Sequence, residues 1–192
     1  YDTDAVLTIS IHESGEFLFP GTGMVTEMGI GRGRGYAVNV PLHPYTDDDL
    51  YILTFRELVP PLVNAFRPDI LVTQLGIDTH RLDPLAHLNL TSAGYVQIIR
   101  DLENLGLPWL ALGGGGYDMG VVARCWALAY GIMIGMEWPD RIPAAYSERY
   151  GIERLRDQGE LLVEAATMDQ VIEYAGKTVS QVKRLIFPTH GL

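Results

Sequence analysis

An aspartate and a histidine two residues apart are the first side chains in this sequence that could do chemistry. Asp78 and His80 follow a predicted strand, 69–75. Residues i and i+2 of an extended chain share a face, and both side chains are accepted zinc ligands. A carboxylate here can equally act as a base or cap a turn, and residues 81–84 are typical of a solvated loop. The spacing alone leaves these interpretations open.

A run of four glycines followed by a tyrosine forms the second candidate. The run 113–116 is not a Walker loop and does not satisfy G-x-G-x-x-G. Between a strand and a buried helix, it indicates close approach of backbone to a ligand, with Tyr117 delivered to the same place. The tyrosine hydroxyl could donate to a developing oxyanion, or the ring could simply cover the end of the sheet.

An aromatic loop forms the third candidate. Phe17 and Phe19 lie in the tightly turned stretch 17–23, which contains a proline and two glycines. Apolar side chains in such a loop either pack on the domain or form the wall of a narrow apolar channel. The sequence does not separate these two interpretations.

Strands alternate with helices along the chain, which predicts an α/β fold with a parallel sheet. Ligands bind at the carboxyl ends of such strands, and the loops 10–23, 76–83 and 113–117 leave those ends. Pro41 should stop its strand, and the Pro60-Pro61 pair should kink or divide its helix. The predicted strands are 5–11, 36–40, 69–75 and 107–112. The first predicted helix is 47–66, and the second is capped by Thr91 and stopped by Gly106. An almost wholly apolar, buried helix is predicted at 121–136 and a surface helix at 168–186.

Composition narrows the function classes. The 192 residues suit one domain, and the formal charge of −10, from 24 acidic and 14 basic residues, repels a phosphate backbone, so nucleic-acid binding is not expected. No apolar run reaches the roughly 18–20 residues that span a bilayer, so no membrane partner is expected. Cys125 is the single cysteine, lies in an apolar run and is interpreted as core. One unpaired thiol fits a reducing cytoplasm.

Five segments together resemble the histone deacetylase superfamily, in order and spacing over roughly residues 1–135. The stretch 78–85 and the tail are most similar to the bacterial and archaeal acetoin-utilisation deacetylases. The resemblance implies the three-layer, parallel-sheet arginase/deacetylase-like fold, with 1–138 as core and 139–192 as a helical extension of one domain. The segments are Ser10-Ile11-His12, Phe19-Pro20-Gly21-Thr22-Gly23, residues 33–41, Gly76-Ile77-Asp78-Thr79, and residues 113–117 with Ala123-Arg124-Cys125-Trp126.

The resemblance also implies a zinc-dependent removal of acetyl groups from protein lysine side chains. Asp78 matches the second of two aspartates that hold zinc with one histidine, and His80 matches no ligand. Tyr117 matches the tyrosine that polarises the acetyl carbonyl. Phe19 matches one wall of the lysine channel, Gly115 lies beside it, and Leu85 falls at the rim. The family's monovalent-cation sites, which suit potassium, map to Ser10 and Ile11 and to the backbone of Thr3, Val6 and Tyr36.

The sequence departs from the family pattern at its start. The other two zinc ligands belong to an Asp-x-His-His-Gly-Asp-Gly motif that would precede Tyr1, and the general-base histidines lie further upstream. We therefore expect a C-terminal fragment that does not catalyse deacetylation alone and that pairs with its own N-terminal half or with a second copy. An acetylpolyamine amidohydrolase and a non-catalytic fragment are the alternatives. Arginase-like manganese chemistry is disfavoured, because residues 76–83 show no Asp-rich metal motif.

Overall fold

The computed structural model describes residues 1–159 and 163–192. The chain divides into two compact units: Tyr1–Pro68 with Val163–Leu192, and the described part of Asp69–Leu162. Both are α/β with parallel strands, which confirms the predicted fold class. The elements are β1 (Thr8–Glu13), β2 (Ala37–Leu42), α1 (Asp48–Phe66), β3 (Leu71–Leu75), α2 (Ser92–Glu103), β4 (Trp109–Gly113), α3 (Met119–Met133), α4 (Ala144–Tyr150) and α5 (Ala165–Leu185), with short 3-10 helices at Gly31–Gly33 and Phe187–His190.

The first unit is built on the parallel pair β1–β2, in register from Thr8 opposite Ala37 to Glu13 opposite Leu42. Helix α5 packs against β2 and α1. The predicted surface helix is therefore amphipathic and buries one face, including Val171 and Val182. The core residues are Val25, Met28, Val38, Val40, Leu58, Leu62, Val182 and Ile186.

Prolines interrupt the first unit less than the sequence predicts. Strand β2 runs through Pro41 to Leu42, and the carbonyl of Pro41 accepts a hydrogen bond from the Thr178 hydroxyl at 3.0 Å. The prediction that Pro41 stops the strand is wrong, because the fixed φ of proline is compatible with an extended chain at a sheet edge. Helix α1 is not divided at Pro60 and Pro61 either. Buried residues on both sides of the prolines offset the hydrogen bonds that they remove.

The second unit is built on the parallel pair β3–β4, in register from Leu71 opposite Trp109 to Leu75 opposite Gly113. Thr91 caps α2 as predicted, since its hydroxyl accepts from the Ala93 amide at 3.1 Å. Burial of Cys125 in α3 raises the pKa of its thiol to about 12, which confirms a core cysteine.

Helix α3 is less buried than the sequence predicts. It packs on α2 along one face, but the Tyr130 side chain is 60% exposed and that of Trp126 is 36% exposed. The almost wholly apolar helix is thus half-buried within the described chain. No described helix combines the length and apolar character needed to cross a membrane. The division of one domain into a core at 1–138 and an extension at 139–192 stays a prediction.

Candidate active site

The loops that follow β3 and β4 lie side by side. Because the two strands run parallel and end in register at Leu75 and Gly113, their loops leave the same edge of the pair. A backbone hydrogen bond joins the loops, from the Ile77 amide to the Gly115 carbonyl, at 2.7 Å. Asp78 follows directly on one loop and Tyr117 stands two residues on in the other. The structure therefore brings these two predicted site residues onto adjoining loops.

The Asp78 carboxyl is half-buried at this edge. Burial raises the pKa of Asp78, a backbone hydrogen bond from its own residue partly offsets that rise, and the negative charge of Asp83 adds to it. An ionised carboxylate is therefore less stable here than in water. A cation beside it would stabilise the charged form.

The glycines lie so close to this carboxylate that side chains on them would collide with it. A β-carbon on Gly115 would overlap Asp78 Oδ2, and one on Gly76 would come within 2.9 Å of Oδ1. A β-carbon on Gly114 would come within 2.5 Å of the Gly76 amide nitrogen. Gly116 has a φ of 134°, which L side chains rarely adopt. The close approach made by the glycine run is to Asp78 and to the backbone of Gly76.

Tyr117 and Leu85 are held by one carboxylate. The Tyr117 amide donates to Asp83 Oδ2 at 2.8 Å, and the Leu85 and Ala86 amides donate to Asp83 Oδ1 at 2.9 and 3.1 Å. The side chains of Tyr117 and Leu85 are 54% and 53% exposed. Both predicted site residues thus present their side chains to solvent from backbones that Asp83 fixes. Sequence reasoning did not single out Asp83.

His80 does not join Asp78. Residues 78 and 79 form a turn, so the rule that i and i+2 share a face of an extended chain does not apply. His80 is fully buried, and its Nε2 lies 2.8 Å from Asp157 Oδ2. The Leu82 amide donates to His80 Nδ1 at 3.2 Å, so Nε2 carries the proton in the neutral ring. The D-x-H metal pair that the spacing left open is not formed, and His80 has a structural partner, in line with the resemblance, which matched His80 to no ligand.

Asp157 accepts further hydrogen bonds, which join it to Arg124 and Ser92 as well as to His80. Its Oδ1 accepts from the Arg124 guanidinium at 3.0 Å, and its Oδ2 accepts from the Ser92 amide at 2.7 Å. Burial raises the pKa of Asp157, but hydrogen bonds from His80 and Ser92 and the positive charge of Arg124 outweigh it, so the net pKa is well below normal. Sequence reasoning missed this cluster. The signal was Arg124 inside an apolar helix, since a buried arginine requires a carboxylate.

The remaining predicted site residues lie in the first unit. The Phe19 side chain is 92% exposed. Ser10 and Ile11 stand on β1, opposite Asn39 and Val40. The Ser10 hydroxyl lies 3.0 Å from His12 Nδ1. The channel role of Phe19 and the cation role of Ser10 and Ile11 stay predictions.

Three backbone positions complete the predicted monovalent-cation sites. The Thr3 hydroxyl accepts from the Ala5 amide at 3.2 Å, and Val6 is exposed in the segment leading to β1. The Tyr36 carbonyl, directly before β2, accepts from the Thr8 amide at 2.9 Å. The Thr8 hydroxyl also donates to this carbonyl, at 3.4 Å, so both of its lone pairs have a donor. Their cation role stays a prediction.

The described residues do not bring together a complete set of zinc ligands. Within 1–159 and 163–192, no three His, Cys, Asp or Glu side chains are grouped so as to hold a metal ion. Catalytic zinc takes three protein ligands and keeps one position open. Asp78 fits the part of one such ligand, because its carboxylate is half-buried beside glycines that leave it space.

Comparisons with known proteins show the family of this chain. Residues 1–133 match the histone deacetylase domain. The acetoin utilization protein AcuC of Bacillus subtilis is 42% identical over 149 residues, 74% of this chain and 38% of that protein. Histone deacetylase 19 of Arabidopsis thaliana is 39% identical over 79% of this chain and 30% of its own length. Histone deacetylase 8 of Danio rerio is 38% identical over 79% of this chain and 41% of its own length. The chain spans less than half the length of these relatives, and it belongs to the histone deacetylase family.

Proposed function

We propose that this chain supplies part of the active site of a zinc-dependent amidohydrolase that removes acetyl groups from lysine side chains. One observation carries the proposal: a half-buried carboxylate with a raised pKa and an exposed tyrosine lie on adjoining loops of a histone deacetylase family member. Asp78 and Tyr117 carry the two roles.

Asp78 would hold zinc through a carboxylate oxygen. Zinc, when bound, lowers the pKa of a water and polarises the scissile carbonyl. Gly76 and Gly115 lie directly against the carboxylate and carry no side chain that would displace it. Three protein ligands are needed, so two more would come from the rest of the deacetylase domain.

Tyr117 would stabilise the charge that develops on the acetyl oxygen. Its hydroxyl donates a hydrogen bond, which strengthens as the carbonyl oxygen becomes negative. The exposed side chain of Leu85 would contact the lysine methylenes, and the bare backbone of Gly115 would border their path. The channel role that the family resemblance implies for Phe19 stays a proposal, supported by its exposed side chain. The monovalent-cation positions, Ser10, Ile11 and the backbone of Thr3, Val6 and Tyr36, would bind potassium, with a structural role.

The partner of this chain, in the proposal, is the N-terminal half of its own domain or a second copy. Val72, Leu110 and Leu112 alternate along β3 and β4 and are each 50% or more exposed. Apolar side chains on one face of a strand pair favour burial against another polypeptide. The chain alone is proposed to be inactive, because Asp78 by itself cannot complete a zinc site. The single buried thiol is consistent with a cytoplasmic protein.

An assay on the zinc-loaded, complete deacetylase domain tests the function. An acetyl-lysine peptide and an N-acetylpolyamine are supplied at matched concentrations, and release of acetate is measured. We expect a higher kcat/KM for the peptide, and a kcat about 10²–10³-fold lower in Tyr117→Phe. A higher kcat/KM for the N-acetylpolyamine would overturn the proposed substrate class in favour of acetylpolyamines. Hydrolysis of neither compound would contradict the proposed function.

A further inference from the structure

Asp83 ties together the two loops that carry the candidate site. Its Oδ2 accepts from the Tyr117 amide of the β4 loop, while its Oδ1 accepts from the Leu85 and Ala86 amides of its own loop. All three donors are backbone groups. The carboxylate therefore fixes the path of the chain at Leu85 and at Tyr117, and does so with both oxygens at once.

The geometry of the glycine loop makes the bond to Tyr117 important. A backbone bond between the loops, from the Ile77 amide to the Gly115 carbonyl, holds the chain two residues before the tyrosine. Gly116 lies between them at a φ of 134° and has no side chain to restrict the backbone. Asp83 supplies a second fixed point, on the tyrosine itself. A charge-assisted bond of this kind is stronger than one between neutral groups.

We propose that Asp83 is a positioning residue, which sets the place of the Tyr117 hydroxyl relative to the Asp78 carboxylate and presents Leu85 at the rim of the substrate path. This inference rests on the proposed function. Asp83 does not touch the reacting atoms in this account and acts through Tyr117 and Leu85. A misplacement of about 1 Å in such a group can lower a rate about 10²-fold.

A double-mutant cycle tests the proposal in the complete zinc-loaded domain. Asp83→Ala should lower kcat about 10- to 100-fold when Tyr117 is present. In the Tyr117→Phe background, the same change should alter kcat by no more than about twofold, because the hydroxyl that Asp83 positions is already gone. Equal losses in both backgrounds would overturn the proposal. Asp69→Ala, at an exposed aspartate before β3, is the matched control and should leave kcat unchanged.

The conservative variant adds a second check. Asn keeps one acceptor oxygen, so Asp83→Asn can hold one loop but not both, and its kcat should lie between those of the wild type and Asp83→Ala. The KM should rise in Asp83→Ala, which also releases Leu85, and stay constant in Tyr117→Phe. A kcat for Asp83→Asn equal to that of Asp83→Ala, with unchanged KM in both, would contradict the proposal.

Amide hydrogen exchange separates this inference from the proposed function. In Asp83→Ala the Tyr117, Leu85 and Ala86 amides should exchange about 10- to 100-fold faster, while the Ile77 amide keeps its protection. Unchanged exchange at Tyr117 would overturn the assignment of Asp83. The readout requires no turnover, so a wild type without deacetylase activity would contradict the proposed function alone.

Discussion

Two polar clusters lie in the second unit, one around Asp78 and Tyr117 and the other around His80 and Asp157. The clusters start two residues apart in the chain, at Asp78 and His80, and both contain a carboxylate that is at least half-buried. Around Asp157, a histidine, an arginine and a backbone amide donate to the carboxylate, and its pKa falls. Around Asp78, burial dominates and the pKa rises.

The opposite pKa shifts of the two carboxylates distinguish a structural carboxylate from a candidate functional one. A carboxylate that receives bonds from three separate elements holds those elements together, and its charge is already compensated. A carboxylate whose burial is not compensated by a neighbouring cation is costly to the fold, and such groups cluster at functional sites. On this comparison Asp157 stabilises the unit, while Asp78 is available to bind an added cation.

The largest expected effect on stability comes from Asp157→Ala. The change leaves the guanidinium of Arg124, which is only 10% exposed, without its carboxylate. We expect the free energy of unfolding to fall by about 3–5 kcal/mol, measured by urea denaturation. Asp140→Ala is the matched control, because the Arg154 partner of Asp140 is 58% exposed, and it should cost about 1 kcal/mol or less. Equal losses in the two variants would break the comparison.

The pH dependence of stability should follow from the same carboxylate. The folded-state pKa of Asp157 is depressed, so its contribution is present above the unfolded pKa of about 3.9 and is lost as pH falls through the folded value. The stability difference between wild type and Asp157→Asn should stay constant from about pH 7 to pH 5 and shrink below about pH 4. Urea titrations at each pH measure it. A difference that is flat down to pH 3 would contradict the assignment.

His80→Gln should have a smaller effect than Asp157→Ala. The glutamine amide can still donate to Asp157, although it cannot also accept from the Leu82 amide, so the expected loss is about 1–3 kcal/mol. Zinc content and turnover should be unchanged, because His80 has no part in the metal site. Loss of zinc from this variant would instead make His80 a ligand. Metal analysis of the purified domain decides between them.

The sequence predicted the alternation of strands and helices, the parallel pairing and the loops of the site, because these follow from local patterns. It did not predict the burial of His80. That depends on Asp157, which lies 77 residues along the chain and in a polar stretch with no periodicity. The turn at Asp78 was one of the interpretations that the spacing left open. Pro41 misled the end of its strand, because its φ also suits an extended chain at a sheet edge. Pro60 and Pro61 do not divide their helix, because packing on both sides offsets the hydrogen bonds that they remove.

The most direct test compares zinc content in Asp78→Ala and Tyr117→Phe, each made in the complete deacetylase domain. Metal analysis and turnover are measured on the same purified samples after zinc loading. We expect Asp78→Ala to lose zinc and activity together, because a three-ligand site becomes a two-ligand one. Tyr117→Phe should keep its zinc and lose about 10²–10³-fold in kcat. Equal zinc retention in the two variants would contradict the central claim that Asp78 is a metal ligand.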